Sequence, residues 1–151
     1  MRVFSRILGG TFGGSAERTC TVPAGKAIFF PIVNAFCSAE GTEEEMRACA
    51  RAFVDQTTGL EAEVDGVPLV DLERYRAESP NFVIVLPEGD VFGAGPGMFE
   101  PSVADGFWIL LAPLSVGEHT ISFRGELGGG PDEGGFETEV SYVLTVAAGG
   151  P

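Results

Sequence analysis

Alternating apolar and polar residues predict half-exposed strands at three places in the chain. In 118–124 the odd positions share an apolar face, and in 137–146 the even positions do. In 60–65 the same alternation ends at Asp65-Gly66, a dipeptide typical of a hairpin turn. These three segments therefore predict sheets with one face in the core and one in water.

Three further runs, at 27–33, 82–86 and 107–111, are apolar at nearly every position. Strands of this kind are typical of a sheet that is also covered on its outer side. Together the two kinds of strand predict a mostly β fold, an antiparallel two-layer β-sandwich of immunoglobulin-like or jelly-roll-like form. We expect a single domain over 1–151, with 1–15 irregular or a truncated N-terminus.

One segment has helical periodicity instead. Thr42 and Glu45 have the spacing of a capping box, in which each side chain bonds the backbone N–H of the other residue. The positions that follow repeat at three and four residues, which predicts a helix at about 43–55. The stripe expected to face the core comprises Met46, Cys49, Ala50, Phe53 and Val54.

The strands that are apolar on both faces need a cover. We expect the helix and a long Gly/Pro-rich loop at 87–106 to supply it, since exposed apolar patches are uncommon on monomers. The alternatives are a dimer interface and an apolar ligand groove. Trp108 lies on the second face of its strand, opposite Phe107, and is therefore a candidate binding residue together with Asp90 and Asp105.

The charge of the chain disfavours several classes of partner. It has 22 acidic and 9 basic residues, for a formal net charge of −13. Such a surface repels nucleic acid and anionic membranes. No run approaches the roughly 18 apolar residues of a membrane span, so no membrane insertion is expected. Ca²⁺, basic partners and simple solubility remain open, and a solvated acidic surface is the favoured interpretation.

The three cysteines indicate a disulfide and not a metal site. No CxxC pair occurs and His119 is the single histidine, so the usual zinc patterns are missing. Cys37 and Cys49 bracket a short segment, and we predict that they form a disulfide in an oxidising compartment. Cys20 is then a buried thiol, a partner in an intermolecular bridge, or a cysteine whose mate is missing.

No catalytic residue is assigned from the sequence. A serine-histidine-acid triad would need His119, but no GxSxG motif occurs, and a hydrogen-bonded histidine at the sheet rim is favoured. The pairs Glu61/Glu63 and Glu137/Glu139 each share a strand face, as a glycosidase or calcium site requires. The polar side of an amphipathic strand explains both pairs. The tract PDEGGFE lacks the ligand spacing of a calcium loop, so Ca²⁺ has only this slight support.

Four segments together resemble a family of exported bacterial proteins of unknown function. They are ERTCTVPAGKAIFFPIVNAFCS, DLERYRAESPNFVIVLPEGDVFG, ADGFWILLAPLSVGEHTISFRGE and FETEVSYVLTV, and the likeness extends from about Gly10 onward. The resemblance implies a secreted, periplasmic or cell-envelope location, and it implies no activity, substrate or cofactor. Members have an export signal and a further upstream segment, and this chain starts near where that segment ends.

Two functions follow as expectations. The first is a non-enzymatic binding or envelope-associated module, monomer or homodimer, that presents the 87–106 loop and the surface near Trp108 to a glycan, a small molecule or a protein. The second is a small carboxylate-dependent hydrolase, with or without a metal, whose site lies under the same loop. A concentrated cluster of buried carboxylates beneath the loop would favour the enzyme, whereas a flat, aromatic or apolar patch would favour binding.

Overall fold

The computed structural model describes residues 5–149. Its single α-helix, α1, spans Glu43–Val54, as the capping box and the helical period predict. The strands within the described residues are β1 (Ser5–Ile7), β2 (Gly14–Pro23), β3 (Ala27–Ser38), β4 (Thr57–Val64), β5 (Val67–Pro68), β6 (Arg76–Glu78), β7 (Phe82–Leu86), β8 (Gly97–Leu111), β9 (Gly117–Leu127) and β10 (Phe136–Ala147).

The strands form two sheets, which confirms the prediction of a mostly β, sandwich-like fold with one short helix. One sheet has the order β1-β3-β8-β6, with β7 also paired to β8, and the other has the order β2-β10-β9-β4-β5. β9 is antiparallel to both of its neighbours, but β1 runs parallel to β3 and β2 runs parallel to β10. Each sheet is therefore mixed, whereas the sequence predicted antiparallel sheets. Alternation along one strand carries no information on the direction of the neighbouring strand, so the parallel pairs could not be predicted from it.

The chain divides into two compact units. The first comprises the described parts of Met1–Val33, Thr57–Arg76 and Phe107–Pro151. The second comprises Asn34–Gln56 and Ala77–Gly106. The whole second sheet belongs to the first unit, whereas β3 and β8 contribute residues to both.

The core of the first unit is built from the apolar faces that the alternation predicts. Phe123 on β9 stacks on Phe30 of β3 with ring centroids 4.9 Å apart, and it also stacks on Tyr142 of β10 at 6.5 Å. Beside them, Gly125 lets two backbones approach closely. A Cβ at Gly125 would overlap Val33 and lie 2.9 Å from the carbonyl oxygen of Ile32. These contacts join strands from both sheets within one core.

The hairpin between β4 and β5 has the turn that its sequence predicts. Asp65 and Gly66 have φ angles of 51° and 77°, and Val64 pairs with Val67 directly across them. Positive φ at both central residues is the type I′ geometry that matches the twist of the strands.

In the second unit, α1 is fixed at its start and along one face. The Thr42 hydroxyl accepts a hydrogen bond from the Glu45 N–H, and the Glu45 carboxylate accepts one from the Thr42 N–H. The buried side chains of α1 are Met46, Ala50 and Val54. Phe53, expected on the buried stripe, is 51% exposed, because the buried face repeats every fourth residue and passes it by.

The long loop predicted at 87–106 is only half as long as expected. β8 begins at Gly97, so the connection between β7 and β8 covers only 87–96. Ile84 pairs with Phe99 and Phe82 pairs with Ser102, so β8 has one extra residue between these pairs. Such a bulge accommodates Pro101 within a strand. The Gly/Pro-rich composition of this segment predicts a loop instead, because it does not show the pairing with β7.

For the segment 1–15 we expect an irregular structure or a truncated N-terminus, and an irregular structure is wrong for residues 5–7 and 14–15. β1 pairs with the start of β3, and β2 already begins at Gly14. Leu8, directly after β1, is buried with 3% of its surface exposed. A strand of three residues is too short to show alternation, so pairing with a distant strand defines it. Residues 1–4 lie outside the described part.

Candidate functional site

The second unit contains an apolar groove of about 410 Å³. Three strands and two loops supply its walls. The side chains that dominate the lining are Phe36, Ile84, Leu86, Phe92, Phe99 and Glu40. Aliphatic and aromatic walls with few polar groups are the common composition of ligand sites in proteins.

The strand period explains how these side chains meet. On β3, Phe36 and Ser38 lie on one face, whereas Cys37 between them points to the other. On β7, Ile84 and Leu86 share the face of Phe99, which pairs with Ile84 across the β7–β8 hairpin. Of these groove residues, Ile84 and Leu86 belong to a run that the sequence marks as apolar on both faces, and they lie on its less exposed face.

The 87–96 loop supplies the remaining wall and is held in shape by Asp90. The Asp90 carboxylate accepts hydrogen bonds from the backbone N–H groups of Phe92 at 2.8 Å, Gly95 at 2.9 Å and Ala94 at 3.3 Å. Desolvation alone would raise the pKa of Asp90, but these donors outweigh it and hold that pKa below its ordinary value. Asp90 therefore positions the loop.

The loop places one aromatic ring over the sheet. Phe92 meets Phe36 edge-on, with ring centroids 5.6 Å apart and an angle of 75° between the planes. Phe36 is 37% exposed and Phe92 is 46% exposed. Each half-exposed phenyl ring leaves apolar surface in water, and covering that surface would release free energy.

The surroundings of the groove are acidic. The second unit has only two basic residues in its sequence, Arg47 and Arg51. Arg47 forms an ion pair with Glu43 at 2.7 Å, and Arg51 forms one with Glu78 at 2.8 Å. Every other charged side chain of this unit is acidic, including Glu40 in the groove wall. The groove thus combines apolar walls with one carboxylate, Glu40, which we call the acidic rim, in a unit with an excess of negative charge.

The three binding candidates named from the sequence have different environments. Asp105 is fully buried and accepts a hydrogen bond from the Gly106 N–H at 2.8 Å. Trp108 belongs to the first unit, where its ring stacks on Phe29 with centroids 5.8 Å apart. Of the three, only Asp90 lies next to the groove, because it belongs to the loop that forms one wall and its carboxylate binds backbone N–H groups of that loop.

The residues that line the groove were not named as site residues. Part of their signal is present, since Ile84 and Leu86 belong to the run 82–86, which is apolar on both faces, whereas Phe36 lies beyond the apolar run 27–33. Phe92 and Phe99 were hidden inside a Gly/Pro-rich segment. Register between β7 and β8 brings Phe99 to the groove and the loop held by Asp90 brings Phe92, and neither is visible in one strand.

His119 has the neighbours of a catalytic triad in the wrong arrangement. Its Nδ1 lies 2.7 Å from the Asp65 carboxylate, and its Nε2 lies 2.8 Å from the carbonyl oxygen of Ser115 and 3.3 Å from its hydroxyl. Both ring nitrogens thus face acceptors, which favours the doubly protonated imidazolium. An imidazolium held in this way has no lone pair to accept a proton from the serine.

The same contacts shift both pKa values of the pair. The Asp65 carboxylate, and then the Ser115 carbonyl, raise the pKa of His119. In turn His119, and then the N–H of Thr120, lower the pKa of Asp65. This arrangement agrees with a hydrogen-bonded histidine at the sheet rim.

The glutamate pairs of the amphipathic strands surround one arginine. Arg124 on β9 donates hydrogen bonds to Glu126 at 2.8 Å and to Glu137 of β10. Glu61 and Glu139 are the residues paired with Arg124 on its two neighbouring strands. Within residues 5–149, no group of three or more His, Cys, Asp and Glu is arranged to hold a metal ion.

The predicted disulfide is confirmed. Cys37 of β3 is bonded to Cys49 of α1, and Cys20 is a free thiol whose burial raises its pKa. An internal disulfide indicates an oxidising, extracytoplasmic environment. Among the described residues, no helix has the length and apolar character needed to span a bilayer.

No protein-family model and no curated protein matches this chain. Two solved structures match this chain weakly. The cysteine protease inhibitor EhICP2 from Entamoeba histolytica is 16% identical over 93% of this chain and 94% of its own, with a TM-score of 0.36. PbICP-C, solved in complex with falcipain-2, is 10% identical over 96% of this chain and 98% of its own, with a TM-score of 0.31. Likenesses this weak carry no information on ligand or activity.

Proposed function

We propose that the chain is a non-enzymatic binding module of the cell exterior or envelope, and that its binding site is the groove of the second unit. The observation that carries the proposal is the apolar lining around the half-exposed Phe36 and Phe92. A ligand that covers these rings gains the free energy of removing apolar surface from water. The ligand therefore presents apolar groups to this groove.

The composition of the groove favours apolar ligands over glycans. Recognition of a sugar requires several polar side chains directed at its hydroxyl groups. Here the polar lining consists of Ser38 and Glu40, and the Ser38 hydroxyl already shares a 2.6 Å hydrogen bond with that of Ser102. Apolar side chains of a protein or a small apolar molecule suit such walls better.

Three observations favour binding over the alternative of a carboxylate-dependent hydrolase. The loop beside the groove contributes Phe92, whereas the Asp90 carboxylate is engaged by backbone N–H groups. Asp105 is the single buried carboxylate among the described residues, whereas a carboxylate-dependent hydrolase needs a cluster of them. The ring nitrogens of His119 both face acceptors, which disfavours its use as a base.

An exported location is part of the same proposal. The disulfide between Cys37 and Cys49 is supported by the structure and requires an oxidising compartment to persist. The sequence resemblance to exported bacterial proteins points in the same direction. Cys37 lies between two groove-facing residues of β3, so the bridge also stiffens the wall of the groove.

The neutral dye Nile red, which fluoresces in apolar sites, tests the groove. We expect enhanced fluorescence with the unmodified protein and its loss in the variant Phe92→Ser, which removes one wall. Val91→Ser is the matched control, since Val91 is 79% exposed and outside the lining. Equal fluorescence from all three proteins, with unchanged circular dichroism, would contradict the proposal.

A further inference from the structure

We infer that strand β7 accepts an extended segment of another protein as an added β-strand, and that this segment is apolar in alternate positions and flanked by basic residues. This inference rests on the proposed function, because it names the partner of the same groove. It depends on three features of the second unit, namely an unpaired strand edge, the adjacent apolar groove and the acidic rim.

The first feature is the free edge of β7. Within the described residues β7 pairs with β8 and with no other strand, so its second edge presents unpaired backbone N–H and C=O groups. Natural edge strands are commonly protected by lysine, proline or a covering loop. β7 reads Phe-Val-Ile-Val-Leu without a charge, and Val83 and Val85 are 42% and 69% exposed. Such an edge is a template for strand addition.

The second feature connects the edge with the groove. Ile84 and Leu86 line the groove from β7, and they lie on one face because side chains alternate along a strand. Every second side chain of a strand added beside β7 falls on that same face. Backbone hydrogen bonds would thus supply affinity, and apolar side chains in the groove would supply specificity.

The third feature is charge complementarity. Arg47 and Arg51, the only basic residues of this unit, are already paired with carboxylates, and Glu40 stands in the groove wall. Basic residues flanking an apolar segment would therefore be attracted to the rim. A second copy of this chain is a poor occupant, since each copy has a formal net charge of −13 and the two repel each other.

The test uses a synthetic peptide, acetyl-KLTFTLK-amide, in which Leu, Phe and Leu alternate with Thr between two lysines. Binding to the full chain is measured by isothermal titration calorimetry. We expect the glutamate-flanked peptide acetyl-ELTFTLE-amide to bind at least about tenfold more weakly, because like charges then meet at the rim. Binding of the lysine peptide should also weaken as salt is added.

Two N-methylated versions of the lysine peptide test strand pairing itself. One is methylated at both Thr residues and the other at Phe and the second Leu, so together they cover amides directed to opposite edges of the strand. An added strand uses one edge only, so we expect one version to lose binding and the other to retain it. Equal binding by both, or equal loss, would overturn strand addition.

A pair of protein variants locates the site. Val85→Lys puts a cation on the edge strand and should abolish binding of the lysine peptide. Val116→Lys makes the same change at a position of the first unit that is 61% exposed, and it should leave binding intact. Equal effects of the two variants would contradict a site on β7.

The outcomes separate this inference from the proposed function. If Nile red binds in a Phe92-dependent manner but no peptide binds, the groove stands as a binding site and strand addition is wrong. If neither the dye nor any peptide binds, both proposals fail. If the glutamate peptide binds as well as the lysine peptide, the inference that the partner segment is flanked by basic residues is wrong.

Discussion

At the scale of single residues, His119 and Asp65 join two turns of the first unit through one interaction. Asp65 begins the β4–β5 turn, and His119 lies near the start of β9. The second carboxylate oxygen of Asp65 accepts the N–H of Thr120 at 2.9 Å, so one side chain fixes both the ring and the backbone. The His119 side chain is 13% exposed and that of Asp65 is 43% exposed, so water reaches the pair mainly from the Asp65 side.

We predict that this interaction makes stability depend on pH. The folded-state pKa of His119 is raised, so its stabilisation is complete below the unfolded value of about 6.5 and is lost as pH rises through the folded pKa. The pKa of Asp65 is lowered, so its contribution is lost only as pH falls through that lowered value. The free energy of unfolding should therefore decrease from slightly acidic to alkaline pH.

Urea unfolding across this pH range, together with an NMR titration of the single histidine, checks the prediction. His119→Gln should remove most of the dependence, and Asp65→Asn should return the pKa of His119 toward its ordinary value. A histidine pKa at or below that value in the unmodified protein would show that the interaction is wrongly assigned.

At the scale of elements, α1 is the clearest case of a structure fixed by its local sequence. Thr42 and Glu45 cap each other, and three glutamates occupy the first turn, where the helix dipole favours negative charge. We predict that Thr42→Ala lowers the free energy of unfolding by about 1 kcal/mol, because it leaves an N–H of the first turn without its acceptor. Thr42→Ser retains the hydroxyl and should cost much less. Denaturant unfolding compares the two, and equal losses would contradict the capping role.

Elements with a local signal could be predicted, and elements defined by distant pairing could not. α1, β9 and β10 carry their period within their own residues, and β7 carries an apolar run. The first half of β8 looks like a loop because it contains Gly97 and Pro101, and only its pairing with β7 makes it a strand. The groove also depends on distant contacts, because Phe36, Phe92 and Phe99 come from β3, the 87–96 loop and β8. The sequence could thus indicate that a cover or ligand was needed, but not where.

At the scale of the whole molecule, β3 and β8 continue without interruption from one compact unit into the other. Unfolding either unit would break a strand of the other, so we predict a single cooperative transition, as expected for one domain over 1–151. Trp108, the only tryptophan, reports on the first unit by fluorescence, and the amide NMR signals of α1 report on the second.

A variant without the disulfide tests the prediction of one cooperative transition more stringently. Cys37–Cys49 tethers α1 to β3 across a sequence separation of 12 residues. In the variant Cys37→Ser/Cys49→Ser we expect stability to fall by roughly 2–3 kcal/mol, since the unfolded chain regains the entropy of the open loop. If the continuous strands make one cooperative unit, Trp108 fluorescence and the α1 signals should still change at one urea concentration in this variant. Loss of α1 at a lower concentration, before the Trp108 signal changes, would show that the bridge and not the strands couples the two units.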